Sequence, residues 1–297
     1  MTKFRVNKTK HVDQTKTVSF NFDGKSYHGF DGDTLASALL SNGVHLVGRS
    51  FKYHRPRGIM SCGSEEPNAI CQINEDTDLT EPNVRATEIE LYEGLKASSQ
   101  NCWPSVNFDI GGINNFISPF IPAGFYYKTF MWPKSFWKKI YEPLIRWSAG
   151  LGKSPTKPDP ELYDHKHVHC DVLIIGGGIS GIIASKIAAK NNLKTILIED
   201  KNILGGSTIF QKNENYKIND KYSGEWINEE IAELKKFDNL TIKTRTSLAA
   251  YHSYNYLLAK ENISDHLPLD KRNGEIRQRL WKFRADKVLV ATGAIER

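Results

Sequence analysis

Alternating hydrophobic and polar residues mark the start of the chain. Residues 17–30 (TVSFNFDGKSYHGF) alternate on both sides of Asp23-Gly24, a pair that favours the tight turn of a two-stranded hairpin. The run TLASALLSNG follows, where Asp33 or Thr34 can cap a helix and Gly43 can end it. The segment therefore predicts a hairpin followed by a short helix.

Further strand-like runs follow this helix. They cover residues 69–74 and 86–92. A hairpin, a helix and further strands in this order predict an α+β module of the β-grasp, ferredoxin-like type over residues 15–102.

Buried apolar runs replace the alternation after residue 168. Residues 172–175 (VLII) predict a strand buried on both faces, and a G-x-G-x-x-G turn follows it. In such turns the first glycine permits the bend, the second lets a phosphate approach and the third lets the next helix pack closely. A second strand at 195–198 then ends in Glu199. A strand, a glycine turn, a second strand and a terminal acid in this order predict a Rossmann-type α/β domain that binds a dinucleotide.

The acidic end of the second strand bears on which dinucleotide is bound. Glu199 can accept hydrogen bonds from a ribose diol, and Glu199 with Asp200 would repel a 2′-phosphate. Lys201 weakens that exclusion slightly. We therefore expect NAD, with FAD as the alternative, rather than NADP.

Two turns of small residues, at 205–207 (GGS) and 291–293 (ATG), complete the candidate site. Both are small enough to let the chain approach a cofactor, as in flavoproteins with two dinucleotide domains. The candidate contacts are Gly176, Gly177, Gly178, Ile179, Ser180, Gly181, Glu199, Asp200, Lys201, Gly205, Gly206, Ser207, Ala291, Thr292 and Gly293.

The rest of residues 168–297 predicts further elements of the same domain. A charged helix within 218–240 would carry Trp226, Ile227, Ile231 and Leu234 on one face. Strands are expected at 240–245, 248–258 and 281–290, with a turn at Asn273-Gly274. These give an α/β sheet with an antiparallel excursion.

Residues 103–167 differ from both neighbours and predict a connecting and docking region. Apolar residues at helical spacing lie beside cations around 137–146, and Pro143 interrupts the pattern. A basic amphipathic helix could lie on a membrane, but docking on another domain or subunit is favoured. Pro155, Pro158 and Pro160 predict an extended linker, with the main boundary near 152–168.

The cysteines limit the redox chemistry of the chain. A plant-type two-iron cluster needs C-x4-C-x2-C and a fourth cysteine, whereas the loop GIMSCGSEEPNAIC offers only Cys62 and Cys71. We therefore expect a cluster-free module in which both thiols are buried. Cys102 and Cys170 add no C-x-x-C pair, so a redox dithiol is excluded and reduced thiols are expected.

The segment 49–57 (RSFKYHRPR) mixes arginines with aromatic residues. Such a mixture suits an internal or subunit contact, or it can grip an anion or a flavin. We favour the contact.

Composition excludes several other functional classes. The 297 residues are 39% hydrophobic and 25% charged, with a net charge of +6 spread along the chain. This length has room for two modest domains. We do not expect nucleic-acid binding, because it would need the cations concentrated on one face. Without a spanning run or a leader sequence, we expect a cytoplasmic protein that binds no membrane.

Catalytic constellations are missing from the sequence. We find no Ser-His-Asp order, metal-ligand cluster or paired carboxylates that would assign a catalytic residue. His165, His167 and His169 alternate as in a strand and could bind a metal weakly, although a solvated linker is favoured.

Several long strings occur together in a family-specific order: RSFKYHRPRGIM, GSEEPNAI, RATEIELYEGLKASSQNCWPSVNFD, AGFYYKTFMWP, YEPLIRWSAGLG, the glycine turn and ATGAIER. With them, the chain resembles the alpha subunits of heterotetrameric sarcosine oxidase from about residue 17 to its end.

The resemblance implies a division of labour among subunits. The complex would demethylate sarcosine oxidatively, and the products would be glycine, H2O2 and 5,10-methylenetetrahydrofolate. Its beta subunit would carry FAD, FMN would lie at the alpha–beta interface, and the alpha subunit would bind NAD. Partners would be the beta, gamma and delta subunits, and the resemblance assigns Gly176, Gly178, Gly181, Glu199, Gly206 and Thr292 to NAD.

The resemblance also implies a longer protein. The family continues beyond Arg297 into a second part of the nucleotide domain and a folate domain, so we expect an incomplete nucleotide domain that binds no folate and is not catalytic alone. Alternatives are an FAD-dependent oxidoreductase subunit of the opine dehydrogenase or hydrogen cyanide synthase type, or a non-catalytic scaffold with an empty nucleotide site.

Overall fold

The computed structural model describes residues 4–5, 12–75, 77–116, 118–120, 124, 128, 130–148, 150–210 and 217–294. The chain divides into two compact units. The first comprises Met1–Pro160 and His266–Lys271, and the second comprises Glu161–Asp265 and Arg272–Arg297.

The first unit is built on a five-stranded mixed sheet in the order β2-β1-β7-β5-β6. Its elements are β1 (Asp13–Phe22), β2 (Lys25–Asp31), α1 (Leu35–Ser41), β3 (Gly48–Arg49), β4 (Pro56–Arg57), β5 (Ile70–Ile73), β6 (Glu81–Arg85) and β7 (Leu95–Ser99). The predicted hairpin is confirmed, since Asp23 and Gly24 form its turn with φ of 50° and 75°. Helix α1 covers the sheet with buried Leu35 and Leu39.

A buried carboxylate fixes the start of α1. Thr34 caps the helix by accepting the Ser37 N–H, and the Ser37 hydroxyl accepts the Thr34 N–H in return. Asp33 is instead buried, where it accepts the Phe30 N–H at 2.9 Å, the Ser37 hydroxyl at 2.7 Å and the Arg5 guanidinium. It thus joins the hairpin, the helix and the segment that precedes both.

The prediction of a strand at 86–92 is wrong. The strands are β6 and β7 on either side of it, residues 86–88 form a turn, and Glu90 makes an isolated antiparallel bridge with Thr34. The backbone of 86–92 bonds to the start of α1: the carbonyls of Ala86 and Ile89 accept the N–H groups of Ala36 and Leu35. Because those carbonyls already hold the helix, they do not form a ladder.

Short helices occur in the described part of the connecting region. A 3-10 helix spans Ile110–Asn115, and a π turn at Trp137–Tyr141 leads into α2 (Glu142–Ser148). The predicted helical spacing is confirmed, and Pro143 is the second residue of α2, directly after the π turn. Ile140, Leu144 and Trp147 are exposed. Residues 123, 125–127 and 129 of the string AGFYYKTFMWP, and residues 295–297 of ATGAIER, lie outside the described residues.

The second unit holds a six-stranded sheet in the order β12-β9-β8-β15-β14-β13. Its elements are β8 (Leu162–Ile175), α3 (Ile179–Lys190), β9 (Thr195–Ile198), β10 (Lys217–Ile218), β11 (Lys221–Tyr222), α4 (Ser223–Leu234), β12 (Leu240–Lys243), β13 (Thr246–His252), β14 (Tyr256–Asn262) and β15 (Ile276–Val290). The antiparallel excursion is confirmed, because β13 and β14 pair antiparallel while the other four strands are parallel.

Two sequence expectations in this unit are corrected. The three histidines of 165–169 lie within β8 rather than in a linker, because β15 pairs along the whole of β8 and satisfies its backbone groups. The single strand expected at 248–258 is two strands, because Tyr254 and Asn255 take φ of 59° and 50° and turn the chain back.

The sheet of this unit has a core on each face. On one face Ile174 and Leu197 pack against α3 and α4, through Ile182 and Trp226. On the other face, residues of β8 and β9 pack with β14 and β15, whose Phe283 is fully buried. Burial on both faces accounts for the uninterrupted apolar run of β9. In the described part of the chain, no helix is long and apolar enough to cross a membrane.

We predict that Asp33→Ala destabilises the first unit by about 3 kcal/mol, because it leaves buried donors, including the Arg5 guanidinium, without their acceptor. Asp31→Ala is the matched control, since Asp31 is an exposed partner of Lys16, and its effect should stay within about 0.5 kcal/mol. Urea unfolding followed by circular dichroism checks both variants, and equal effects would contradict the assignment.

Candidate functional site

Three loops of the second unit converge at one edge of its sheet. Strands β9, β8 and β15 are adjacent and parallel, so their carboxyl ends lie side by side. The loops that follow them carry residues 176–181, 199–207 and 291–293, which include all the sequence-predicted site residues.

Close backbone packing explains two of the predicted glycines. Gly176 has φ of +104°, and a Cβ there would lie 2.4 Å from the Ala291 carbonyl oxygen. A Cβ on Gly181 would lie 1.8 Å from the Gly176 oxygen. The Ala291 N–H donates to the Ile175 oxygen at 2.7 Å and holds the third loop against the turn.

The second glycine meets the 205–207 turn. A Cβ on Gly206 would lie 2.9 Å from the Gly178 Cα, and Gly206 has φ of +57°. A Cβ on Gly178 would meet only the Gly206 Cα, at 3.9 Å. The Gly205 N–H donates to the Gly177 oxygen at 2.8 Å. The two loops therefore present backbone without side chains beside the start of α3.

The start of α3 has the properties of an anion site. Gly178 is its N-cap and supplies no side-chain acceptor. The first intrahelical bond runs from the Ile182 N–H to the Gly178 oxygen, so the N–H groups of Ile179, Ser180 and Gly181 have no intrahelical acceptor. These N–H groups and the positive end of the helix dipole favour a phosphate there.

Glu199 lies beneath the glycine turn. Its side chain is buried and accepts the Gly177 N–H at 2.5 Å and the Lys201 N–H at 3.1 Å. Burial, with the Asp200 carboxyl as the next cause, raises the pKa of Glu199 to about 7. Glu199 can accept a ribose hydroxyl through its remaining lone pairs, and such a donor would favour its ionised form.

The other predicted residues include four that are exposed: Asp200, Ser207, Thr292 and Gly293. The Thr292 Cα nevertheless lies 3.1 Å from where a Gly176 Cβ would be. Leu204 and Thr208 were missed by the sequence predictions. Both are buried: Leu204 Cδ2 lies 2.4 Å from where a Gly177 Cβ would be, and the Thr208 hydroxyl donates to the Gly205 oxygen.

The loop that would hold an iron–sulfur cluster lacks the ligands for one. Cys62 is exposed, which corrects the expectation of a buried thiol, while Cys71 is fully buried. Burial raises the pKa of the Cys71 thiol to about 12, so it stays protonated. Among the described residues, no group of three or more metal-ligating side chains occurs. This donor set does not fit a two-iron cluster.

The aromatic and basic segment 49–57 makes internal contacts. Arg49 Nε donates to the Val106 oxygen at 2.8 Å, and His54 Nδ1 lies 2.7 Å from Asp109 Oδ2. Arg55 Nε donates to the Asn115 side-chain oxygen at 3.0 Å. The favoured interpretation of this segment as a contact is confirmed for its Arg49, His54 and Arg55.

Known families match both units. The family of 2Fe-2S iron-sulfur cluster binding domains matches residues 15–102, and that of FAD dependent oxidoreductases matches residues 171–272. The second unit therefore contains an FAD-dependent oxidoreductase domain.

Similar proteins include two described as sarcosine oxidase subunit alpha. The one from Rhizobium meliloti (strain 1021) is 44% identical over 297 residues, which are 100% of this chain and 30% of that protein. The one from Corynebacterium sp. (strain P-1) is 30% identical over 96% of this chain and 25% of its own length. This chain thus spans less than a third of the length of these two relatives.

A solved structure has the same fold. The crystal structure of L-proline dehydrogenase from P. horikoshii matches 97% of this chain and 44% of its own, with a TM-score of 0.59 and 20% identity.

We predict that Gly181 and Gly178 differ in their tolerance of a methyl group. Gly181→Ala should destabilise the second unit by about 2 kcal/mol or more, because its Cβ overlaps the Gly176 oxygen. Gly178→Ala should change the free energy of unfolding by less than about 1 kcal/mol. Thermal unfolding compares them with Gly112→Ala, whose Cβ meets nothing within 4 Å; similar losses in both site variants would contradict the geometry.

Proposed function

We propose that this chain, which is homologous over its whole length to sarcosine oxidase alpha subunits, binds NAD in its second unit. The observation that carries the proposal is the side-chain-free surface where Gly178 and Gly206 face each other at the start of α3. A pyrophosphate can approach the N–H groups there because no Cβ intervenes.

The residues around this surface support the proposed assignment of each part of the dinucleotide. Gly176 to Gly181 would hold the pyrophosphate, and Glu199 would hold the ribose of the adenosine half. Asp200 and Lys201 would lie beside that ribose, Gly205 to Ser207 would close on the phosphates, and Ala291 to Gly293 would border the other half. The paired acids Glu199 and Asp200 disfavour a 2′-phosphate.

FAD is a second candidate for the same site. The FAD-dependent oxidoreductase family covers the glycine turn, Glu199 and the 205–207 turn, and its flavin nucleotide would use the same phosphate and ribose contacts. The same phosphate and ribose contacts would serve both dinucleotides, and titration with each distinguishes them.

The proposed setting is a multi-subunit amine oxidase. Because the relatives are described as alpha subunits, we propose that this chain docks on beta, gamma and delta subunits. The beta subunit would carry FAD, and FMN would lie at the alpha–beta interface. The complex would oxidise sarcosine, and its products would be glycine, H2O2 and 5,10-methylenetetrahydrofolate. Folate would bind outside these residues. This chain would bind NAD and dock on its partner subunits, and it would supply no acid, base or nucleophile to the reaction.

We predict that the chain binds NAD measurably and NADP at least about tenfold more weakly, a difference of about 1.4 kcal/mol. Gly178→Ala should weaken NAD binding by a similar factor, because its methyl group occupies the open side of the turn. Calorimetric titration with NAD, NADP and FAD checks this, with Gly112→Ala as the control.

The nucleotide titrations separate the candidates. Tight FAD binding with no heat from NAD would replace NAD by the second candidate. No heat from any of the three would leave the site an empty scaffold and would contradict the proposal.

We further predict that NAD affinity rises with pH between about 6 and 8. The raised pKa of Glu199, about 7, leaves part of the carboxyl protonated at neutral pH, and a ribose hydroxyl donates best to the ionised form. Below pH 7 the binding must also release a proton, so affinity falls as pH falls. In Glu199→Gln this dependence should disappear, and an unchanged pH profile in that variant would show that Glu199 is not the group responsible.

A further inference from the structure

The loop that links β4 to β5 is organised around one buried carboxylate. Glu66 is 1% exposed. Its Oε2 accepts the N–H groups of Met60 and Ser61 at 2.8 and 2.7 Å, and its Oε1 accepts those of Asn68 and Ala69 at 2.7 and 3.1 Å. Each oxygen therefore serves two successive N–H groups, one pair from each arm of the loop.

Successive backbone N–H groups that point to one place form an anion-binding concavity. Burial opposes ionisation of Glu66, but its hydrogen bonds from the backbone of Ser61, Asn68, Met60 and Ala69 outweigh burial and lower the pKa of the carboxyl. The loop thus encloses a negative charge supplied by its own sequence.

Side-chain bonds fix the same loop to the neighbouring turn. Arg85 Nε donates to the Glu66 carbonyl oxygen at 3.1 Å, and the Thr87 hydroxyl donates to the Gly63 oxygen at 2.7 Å. The Ala86 N–H donates to the Ala69 oxygen at 2.8 Å. Both the carboxylate and the backbone around it are therefore held in place.

Iron–sulfur sites use the same kind of concavity. In them the backbone N–H groups of the loop bond to an anionic cluster that thiolates hold. Here the family match to 2Fe-2S domains covers the loop, but Cys62 is exposed and the Cys71 thiol is buried and protonated. The four N–H groups already have their acceptor.

We propose that Glu66 takes the place of the cluster as the anion that shapes this loop. It is a positioning residue: it joins the two arms through four backbone hydrogen bonds, so that the module keeps its loop conformation without metal and carries no electrons. The inference concerns the first unit and is independent of dinucleotide binding in the second.

The first test follows the loop directly in the 297-residue chain. Hydrogen exchange measured by mass spectrometry on peptides that cover residues 58–71 should show strong protection at neutral pH. In Glu66→Gln the amide group turns donors towards one pair of N–H groups, so exchange of this peptide should speed up at least about tenfold, which corresponds to about 1.4 kcal/mol. Glu142→Gln is the matched control, because Glu142 pairs with Arg146 on the surface of α2, outside this loop and its bonds, and should leave the exchange unchanged.

The pH dependence distinguishes a charge from a space-filling side chain. A lowered pKa means that the stabilisation by Glu66 is present above the unfolded value and is lost as pH falls through the folded one. In the wild-type chain, protection of the 58–71 peptide, corrected for the intrinsic exchange rate, should fall on the acid side. In Glu66→Gln it should be low throughout. Equal acid profiles in the two proteins would overturn the proposal.

A third measurement needs no variant. The wild-type chain is incubated anaerobically with ferrous iron, sulfide and a thiol reductant and then desalted. We expect iron and acid-labile sulfide far below one per chain and no visible cluster absorption. A stoichiometric two-iron cluster would overturn the proposal even if the exchange results agreed with it.

Discussion

The parallel pairing of β8 with β15 is the contact on which the second unit depends. It runs from Leu162 beside Ile276 to Ile175 beside Val290, and each strand then continues into a loop of the candidate site. Because the pairing sets where both strands end, it also sets the distance at which Ala291 closes over Gly176. A shift of β15 by one residue against β8 would turn the side chains of β15 to the opposite face of the sheet and would separate those loops.

The parts of the fold that local chemistry determines could be predicted from the sequence. Asp23-Gly24, Thr34 and the glycine turn each act within a few residues, and the structure has a hairpin turn, a helix cap and a strand-to-helix turn there. The first half of β8 could not be predicted. Four of its residues HKHVH are polar, and they form a strand because β15, more distant in sequence, supplies the hydrogen bonds.

The site shows the same limit. The spacing of Gly176, Gly178 and Gly181 indicates a phosphate turn, but nothing in it reveals that Gly178 touches Gly206 or that Leu204 lies under Gly177. Glu66 carries no local signal at all, since an acid in GSEEP has the pattern of an exposed loop. Both the glycine turn and the Glu66 loop depend on backbone N–H groups that point to one place, and such geometry is not encoded by residue type.

The register of β8 and β15 also redistributes charge. His165, His167 and His169 stand beside Leu280, Lys282 and Arg284, and residues paired in this way share one face of the sheet. Cationic and basic groups that are dispersed along the sequence are thereby collected into a strip on a surface of the second unit. A strip of this kind creates a local positive potential, so the chain should adsorb to anionic matrices and polymers more strongly than its modest net charge suggests, and salt should release it.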